Sequence, residues 1–419
     1  MIHQSRLVIV LATCTTVHLA ASLSVTAEDW PQFLGGDRNG TSPEVGFIDA
    51  IDAQSPPVAW RVPGGVGMSA IAVSGKYATT TWNADNQQWL VALDAKTGNT
   101  IWKTPIGSRY TNSMGDGPRA TPAIFAGQVF AYSGSGELFA AELKTGKLQW
   151  QSNPVRESKA KPSEYGMSSS PLVVDGRVII YSGGAAGTIR AYEAGSGNLA
   201  WSAGSGNAGY SSPTLLTIDG SKQLVCFTAS GVSGVDPTNG KESWNYRFKT
   251  PYDCNTATPI TIDGGVFISA GENHGCVLLD IEQNNGDYQI KERWSSLEPK
   301  SVMRNEWQTS VLAGDYLYGF DNVGSAGPIT HLSCIVAKTG EPVWSETRFG
   351  KANLTLADGK LWITTMKGEL VLVQATPAGY QELGRSRLFG KTRQSLSIAN
   401  GHGYIRDDHE VICLKLSKD

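Results

Sequence analysis

Charged residues are scarce in this sequence. Asp, Glu, Lys and Arg make up 17% of its 419 residues, and the formal net charge is −3. The sequence has no polybasic stretch, so nucleic acid is not an expected partner. Low charge combined with 48 glycines is typical of a turn-rich β protein and excludes a disordered or long-helical chain.

Cysteine is also sparse. The six cysteines form no C-x-x-C pair, and five of them follow the first 27 residues: Cys226, Cys254, Cys276, Cys334 and Cys413. An odd number argues against a full disulfide framework, although one bridge would still fit. Most of the five stand in apolar, strand-like runs, so we expect small buried hydrophobic side chains there.

Long apolar runs are absent after the N-terminus. Arg6 precedes an apolar run over residues 7–25, and small residues lead up to Ala27, which predicts a signal peptide over residues 1–27. Two alternatives stay open, a membrane anchor and a lipoprotein at Cys14. His18 and three threonines dilute the run, and Thr13 is a poor residue before a lipidated cysteine. The predicted location is therefore periplasmic or secreted, with no transmembrane segment after signal removal.

Familiar catalytic motifs are missing as well. The sequence has no H-E-x-x-H and no C-x-x-C-H, and its histidines at 274, 331, 402 and 409 are scattered. Runs such as "SGSGE" are turn-like rather than strand-to-helix elbows. The motifs therefore predict no catalytic residue and no metal ligand.

What the sequence does contain is a repeat. Residues 90–102 read "LVALDAKTGNTIW", and similar segments end at Trp150, Trp201, Trp244 and Trp344, each with a glycine four residues before the tryptophan. A degenerate copy ends at Trp294, and a further copy has lost its tryptophan. Counted from Trp60, the tryptophans that end these repeats are 42 to 51 residues apart. This period, with strand-like content, predicts a β-propeller.

Each repeat resolves into four strands with Asp-Gly hairpin signals such as Asp175-Gly176. Six full units run from Trp60 to Trp344, and a seventh ends near Leu388. The chain then supplies only three strands, so residues 56–62 would complete the last blade. We predict an all-β, eight-bladed propeller of four-stranded antiparallel blades, closed by an N-terminal strand. Residues 28–55 would be a leader segment, and residues 56–419 a single propeller domain.

The unit L-x-A-x-D-x-x-T-G-x-x-x-W resembles the repeat of the PQQ-like (pyrroloquinoline-quinone repeat) family of eight-bladed propellers. The resemblance covers about residues 56–419. That family includes quinoprotein dehydrogenases and the propeller lipoprotein of the Bam outer-membrane assembly complex. Residues 29–42, "DWPQFLGGDRNGTS", also resemble the opening of secreted propellers of planctomycete type, with Leu34 in place of the usual Arg. The repeat is specific for the fold and weak for function.

The repeated tryptophans are predicted to join neighbouring blades rather than to bind ligand, because outer residues repeated around a ring cannot converge on one site. A large flat ring can pack against the next blade and donate through its indole N–H. The predicted joint residues are Trp60, Trp102, Trp150, Trp201, Trp244, Trp294 and Trp344.

We expect the functional residues at positions that differ from one repeat to the next. The connections after Trp102 and Trp150 are the longest between blades, and loops on a rigid scaffold tend to carry binding sites. The residues just before each innermost strand differ from blade to blade, although they should surround one channel mouth. Arginines there could hold an anion, and aromatic rings could stack on a ligand. The predicted ligand-binding residues are Arg119, Tyr210, Asn255, Glu306, Trp307 and Arg393.

From these observations we expect a monomeric, non-catalytic binding or scaffold propeller, with a protein partner or a small ligand at its loop face and no cofactor. Envelope-protein assembly is the version that the resemblance suggests. The alternative is an enzyme, a PQQ- and Ca²⁺-dependent oxidoreductase. The resemblance then implies a planar cofactor over the channel, Ca²⁺ held by Glu and Asn oxygens, and an Asp base. Glu306, Asn255 and Trp307 have suitable chemistry, but the adjacent cysteine pair of many alcohol-oxidising members is absent. A third alternative is a carbohydrate-associated propeller, for which exposed aromatic residues are weak support.

Overall fold

Eight sheets, each with four antiparallel strands as its blade, surround a central axis in the computed structural model, which describes residues 28–54, 56–325 and 329–418. The predicted signal peptide, residues 1–27, lies outside the described residues. Two strands precede the first blade, β1 (Thr41–Ser42) and β2 (Val58–Pro63). Apolar alternation and glycine-containing turns produce short strands throughout, so each blade can bury both faces against its neighbours.

The first four blades each use four consecutive strands. Their bounds are, in chain order, β3 Ala72–Ser74, β4 Tyr77–Ala84, β5 Gln87–Asp94 and β6 Thr100–Ser108; β7 Ala123–Phe125, β8 Gln128–Tyr132, β9 Leu138–Glu142 and β10 Leu148–Ser152; β11 Leu172–Val174, β12 Arg177–Tyr181, β13 Ile189–Glu193 and β14 Leu199–Ala203; β15 Thr214–Ile218, β16 Ser221–Thr228, β17 Gly231–Val235 and β18 Glu242–Arg247. One helical turn, α1 (Pro154–Glu157), follows the second blade.

The next three blades repeat this order, and the eighth does not. The strands are β19 Ile260–Ile262, β20 Gly265–Ala270, β21 Gly275–Asn284 and β22 Asp287–Leu297; β23 Val311–Ala313, β24 Tyr316–Val323, β25 Ile329–Val336 and β26 Pro342–Glu346; β27 Ala352–Ala357, β28 Lys360–Thr365, β29 Glu369–Gln374 and β30 Glu382–Arg387; β31 Ser397–Ala399, β32 His402–Arg406 and β33 Glu410–Lys415. Short 3₁₀ turns occupy Pro251–Asp253 and Glu298–Lys300.

The N-terminal strand closes the ring, as the sequence predicts. β2 pairs antiparallel with β33, with Trp60 opposite Cys413 and Val62 opposite Val411. The eighth blade therefore consists of β31, β32, β33 and β2. Closure leaves the first blade in contact with both the second and the eighth, so no inter-blade face of the ring is left open.

The repeated tryptophans reach from one blade to the next. The indole of Trp102 donates to the carbonyl of Leu143 in the second blade at 2.8 Å, and Trp60 donates to Ala95 in the first blade at 3.0 Å. The repeat glycine lies under the ring of the preceding blade. At Gly146, φ is +71° and an added Cβ would lie 2.5 Å from Trp102, so the position requires glycine.

One tryptophan departs from this pattern. Trp244 donates at 2.7 Å to Gln223 of its own blade. The following blade has a long hairpin of β21 and β22 in place of the compact turn, and Gln223 in turn donates to Tyr288 of that hairpin at 3.0 Å. The degenerate repeat therefore replaces the direct indole hydrogen bond between two blades with a relay through Gln223.

The leader folds onto the ring and enters its centre. We call residues 29–44 the plug. Trp30 exchanges two backbone hydrogen bonds with Val73 of the first blade, and β1 pairs parallel with β27 of the seventh blade. Glu44 accepts from the backbone of Asn400 and Gly401 in the eighth blade. The plug therefore crosses the hairpin side of the ring, opposite the long loops.

The guanidinium of Arg38 fixes the middle of the plug. It is 2% exposed and donates to the carbonyls of Ser170 and Pro171 in the third blade at 2.9 and 2.8 Å. Because burial removes water from the charge, the pKa of this arginine falls to about 9. The plug is thus held by side-chain as well as backbone contacts.

The cysteines after residue 27 are unpaired. All five that the structure describes are free thiols, and four of them are buried, so no bridge forms among them. In the same described ranges, no helix is both long and apolar enough to cross a bilayer.

Candidate functional site

A cavity of about 530 Å³ opens on the loop face around the axis. Its size falls within the usual range of small-molecule sites. Five of the six residues predicted from the sequence line it, namely Arg119, Tyr210, Glu306, Trp307 and Arg393. They come from four different blades or from the connections just before them. That they bind ligand stays a prediction.

The two long connections are tied together by Arg119. Its Nε donates to the carbonyl of Tyr165 at 2.7 Å, and its terminal nitrogens donate to Gly115 and Gly117. The guanidinium also lies 4.7 Å from the ring centroid of Tyr110. Burial lowers the pKa of Arg119, but the group stays charged at neutral pH because an arginine starts near 12.5. Arg119 therefore orders the loop rim while contributing positive charge to the cavity.

A pair of tyrosines forms one wall. The rings of Tyr165 and Tyr210 are stacked, with centroids 5.6 Å apart and planes inclined by 28°. The hydroxyl of Tyr210 accepts from the backbone N–H of Tyr165 at 3.2 Å. This links the loop after the second blade to the connection before the fourth. The wall offers flat apolar surface with polar edges.

The opposite wall combines two cations with an indole. Lys351 Nζ lies 4.2 Å and the Arg393 guanidinium carbon 4.9 Å from the ring of Trp307. Arg393 also donates to the carbonyl of Met114 in the long loop after the first blade. Burial lowers the pKa of Arg393. The indole is thus contacted by positive groups that also face the cavity.

Glu306 is the buried carboxylate of the site. It is 8% exposed, and Lys351 Nζ lies 2.9 Å from Oε1 and 2.7 Å from Oε2. Burial raises the pKa of Glu306, while Lys351 opposes that rise. A desolvated carboxylate beside a cavity can accept a proton from a ligand. A second carboxylate, Glu272, also lines the cavity and accepts from Ser325 at 2.7 Å.

The prediction for Asn255 is not supported by its position. The side chain is fully buried, and its Nδ2 donates to the carbonyls of Thr228 and Phe248 at 2.7 and 2.8 Å. Its Oδ1 accepts from Thr250 at 3.0 Å. Asn255 therefore satisfies backbone groups behind the cavity wall. A buried amide with its donors and acceptor engaged in this way is a structural element.

The cavity residues do not fit a calcium ion. The resemblance implies Glu and Asn oxygens as ligands, but Glu306 is paired with Lys351 and Asn255 faces away. Among residues 28–54, 56–325 and 329–418, no three His, Cys, Asp or Glu side chains are grouped to hold a metal ion. The thiol of Cys254, which also lines the cavity, is no alternative ligand, because Ca²⁺ is bound by oxygen atoms.

The same residues do fit a planar, carboxylate-bearing cofactor such as PQQ. Arg119, Lys351 and Arg393 supply three positive groups, and PQQ carries three carboxylates. The rings of Trp307, Tyr165 and Tyr210 supply flat surface. Charge complementarity and aromatic walls are the features by which proteins hold such a molecule.

Phe33 of the plug forms the floor. Its ring lines the large cavity and also a second cavity of about 40 Å³, which is bounded by Leu34, Asn353 and Gln394 among others. No sequence pattern indicates this floor, because the plug lies outside the repeats. None indicates Lys351 either, which precedes its strand by one residue and does not stand out by residue type.

Below the mouth, hydroxyl groups connect the innermost strands. The backbone N–H of Ala70 donates to Thr121, that of Thr121 to Ser170, and that of Ser170 to Ser212, at 2.9 to 3.1 Å. The same contact links Thr258 to Thr309 at 3.0 Å. These bonds satisfy backbone groups that face the channel and fix the blades that carry the cavity residues.

Comparison with known proteins gives the family and the fold. Residues 86–346 match the family model described as outer membrane protein assembly factor BamB. The crystal structure of BamB from Moraxella catarrhalis is similar over 86% of this chain and 99% of that one, with a TM-score of 0.59 and 15% identity. The quinohemoprotein alcohol dehydrogenase of Comamonas testosteroni is similar over 93% of this chain and 81% of that one, with a TM-score of 0.65 and 17% identity.

The curated relatives that the sequence matches are named as alcohol dehydrogenases. The dehydrogenase subunit of a quinone alcohol dehydrogenase from Gluconacetobacter polyoxogenes is 33% identical over 135 residues, which are 30% of this chain and 18% of that protein. The aligned segments span 17% to 25% of the length of the curated relatives that the chain matches.

These relatives contradict the prediction of a non-catalytic binding or scaffold propeller, because they are named as alcohol dehydrogenases. The expectation that no cofactor is used also loses its support, since the names of these relatives include a quinone or quinohemoprotein. The sequence has neither an adjacent cysteine pair nor a C-x-x-C-H motif, but the cationic and aromatic groups that line the cavity are present without them.

Proposed function

The chain belongs to the family described as outer membrane protein assembly factor BamB, and we propose that within it this protein is an oxidoreductase that oxidises an alcohol with a bound quinone cofactor of the PQQ type. The observation that carries the proposal is the cavity, in which three cationic groups and the rings of Trp307, Tyr165 and Tyr210 surround one space. The alcohol dehydrogenase relatives support the reaction class.

When bound, a quinone of this type supplies the acceptor for the two electrons and the hydrogen removed from an alcohol carbon. Arg119, Lys351 and Arg393 would hold its carboxylates, and Trp307 would lie against its ring. Glu306 would accept the hydroxyl proton of the alcohol, because it is the buried carboxylate that faces the cavity. Calcium is not part of the proposal, because the donor groups do not fit it.

The periplasmic or secreted location belongs to the proposal too. It rests on the signal peptide predicted over residues 1–27. N-terminal sequencing of protein recovered from the producing cells would test it, with Glu28 as the expected first residue.

Titration of the purified chain with PQQ tests the cofactor. We expect saturable quenching of tryptophan fluorescence, a higher melting temperature, and reduction of an artificial electron acceptor when primary alcohols are added. Arg393→Ala should weaken binding at least about tenfold, as loss of a partly buried charge contact does. Arg387→Ala, an exposed site on the outer strand β30, is the matched control. An absence of saturable PQQ binding would refute the proposal.

A further inference from the structure

Phe33 stands between two cavities. The large cavity and the 40 Å³ cavity share Phe33, Met68, Trp307 and Arg393 in their linings. The smaller one is also lined by Leu34, by the innermost strand of the seventh blade and by the residues just before that of the eighth. The phenyl ring is therefore part of the partition that ends the binding cavity.

The position of Phe33 is fixed by its neighbours in the plug. Leu34 is 5% exposed with φ of +61°. Gly35 packs so closely on Trp30 that an added Cβ would lie 2.8 Å from the indole. The backbone turn on which Phe33 stands is thus held on both sides. A side chain on such a turn has little freedom to move aside when a ligand arrives.

The plug is also anchored away from the turn. Pro31 accepts from the backbone of Ile124 in the second blade at 2.8 Å, and Gly40 accepts from Leu356 in the seventh at 2.9 Å. Arg38 binds the third blade from within the channel. Contacts to several blades make the plug a fixed element of the site.

We propose that Phe33, carried into the channel by the N-terminal segment, sets the depth of the cavity and so limits the length of the ligand that it accepts. The ligand class is an elongated aromatic or unsaturated carboxylate, because cationic groups and aromatic rings line the walls and an apolar ring forms the floor. The inference rests on the proposed use of this cavity as the quinone and substrate site.

The test uses probes of increasing length: benzoate, biphenyl-4-carboxylate and p-terphenyl-4-carboxylate. Their affinities for the full chain and for Phe33→Ala are measured by tryptophan quenching and calorimetry. Opening the partition should raise the affinity for terphenylcarboxylate about tenfold relative to benzoate, since one more ring can be buried. Phe125→Ala, whose ring is 44% exposed on the second blade, should leave the ratio unchanged. If Phe33→Ala fails to fold, Phe33→Leu takes its place, with a smaller shift in the same direction.

PQQ is titrated in parallel to separate this inference from the proposed function. A shifted probe ratio without PQQ binding supports the role of Phe33 and refutes the quinone proposal. PQQ binding with an unchanged ratio in the variant refutes the role of Phe33 alone. An absence of binding by all three carboxylates overturns the inference as well, because the cavity would then not accept this ligand class.

Discussion

The ammonium group of Lys351 lies within 3 Å of both carboxylate oxygens of Glu306 (2.9 and 2.7 Å). Lys351 comes from the connection before the seventh blade, and Glu306 from the connection before the sixth. The pair therefore crosses a blade boundary at the cavity wall. Burial raises the pKa of the Glu306 carboxyl, and the Lys351 ammonium opposes that rise.

Lys351→Met should weaken both folding and cofactor binding. Glu306 would lose its partner while staying buried, at a cost of about 1–3 kcal/mol in the free energy of unfolding. PQQ affinity should also fall, because one of three positive groups is removed, and Lys351→Arg should retain most of it. Chemical denaturation and fluorescence titration measure the two effects. Lys338→Met, at an exposed ion pair with Asp263, is the control, and equal behaviour of the two Met variants would contradict the prediction.

The pH dependence of turnover should report Glu306. A proton acceptor works when ionised, so kcat/KM should rise with pH as the carboxylate loses its proton. Burial raises the pKa of Glu306 above the usual 4.5, so the rising limb should lie above that of an exposed glutamate. Lys351 lowers this pKa, so Lys351→Met should move the limb to still higher pH. If the rising part of the kcat/KM profile stays in place or moves to lower pH in the variant, a group other than Glu306 accepts the proton.

Gly146→Ala tests the joint between blades. Gly146 and Gly176 have nearly the same positive φ, +71° and +74°, but an added Cβ meets Trp102 at 2.5 Å in the first case and nothing within 4 Å in the second. Gly176→Ala should cost about 1–2 kcal/mol from the backbone alone, and Gly146→Ala more, because the ring must also move. Denaturation midpoints measure both. Equal costs would show that the ring does not restrict the glycine.

Arg119→Lys should loosen the loop rim without unfolding the ring. A lysine cannot donate at once to the carbonyls of Gly115, Gly117 and Tyr165, as the planar guanidinium does. Hydrogen exchange should accelerate in residues 110–118 and 163–167, while the melting temperature changes little. Arg109→Lys, at an exposed ion pair with Asp116, should not accelerate it. Unchanged exchange in Arg119→Lys would mean that other contacts hold the loops.

The fold could be predicted from the sequence because it repeats. One motif, counted through the chain, predicts eight blades and an N-terminal strand that completes the last, and β2 pairs with β33 as expected. For the channel mouth, the sequence predicts which positions surround it but not which of their side chains face the cavity. Arg119, Glu306 and Arg393 do face one cavity, but Asn255 turns away to bind backbone carbonyls. The direction in which a single side chain points, as at Asn255, has no pattern in the sequence that could predict it.

The plug and Lys351 could not be predicted for a different reason. Residues 29–44 contact several blades through single, unlike interactions, so no periodic pattern encodes where Phe33 lies. The role of Lys351 depends on its ion pair with Glu306, which is 45 residues earlier in the sequence. Such contacts depend on the closed ring, and they are specified by the tertiary structure rather than by local sequence.

The contact that Trp60 makes between the eighth and first blades affects how the protein unfolds. In an open array of repeats the end units have one neighbour each and fray first. Here Trp60 of the eighth blade donates to Ala95 of the first, so every blade has two neighbours and there is no end from which to begin. Unfolding must break an internal contact before any blade is released, which places the barrier early and makes the ring slow to open. Resistance to proteases would then be set by the rate of that first rupture rather than by the equilibrium stability of any single blade.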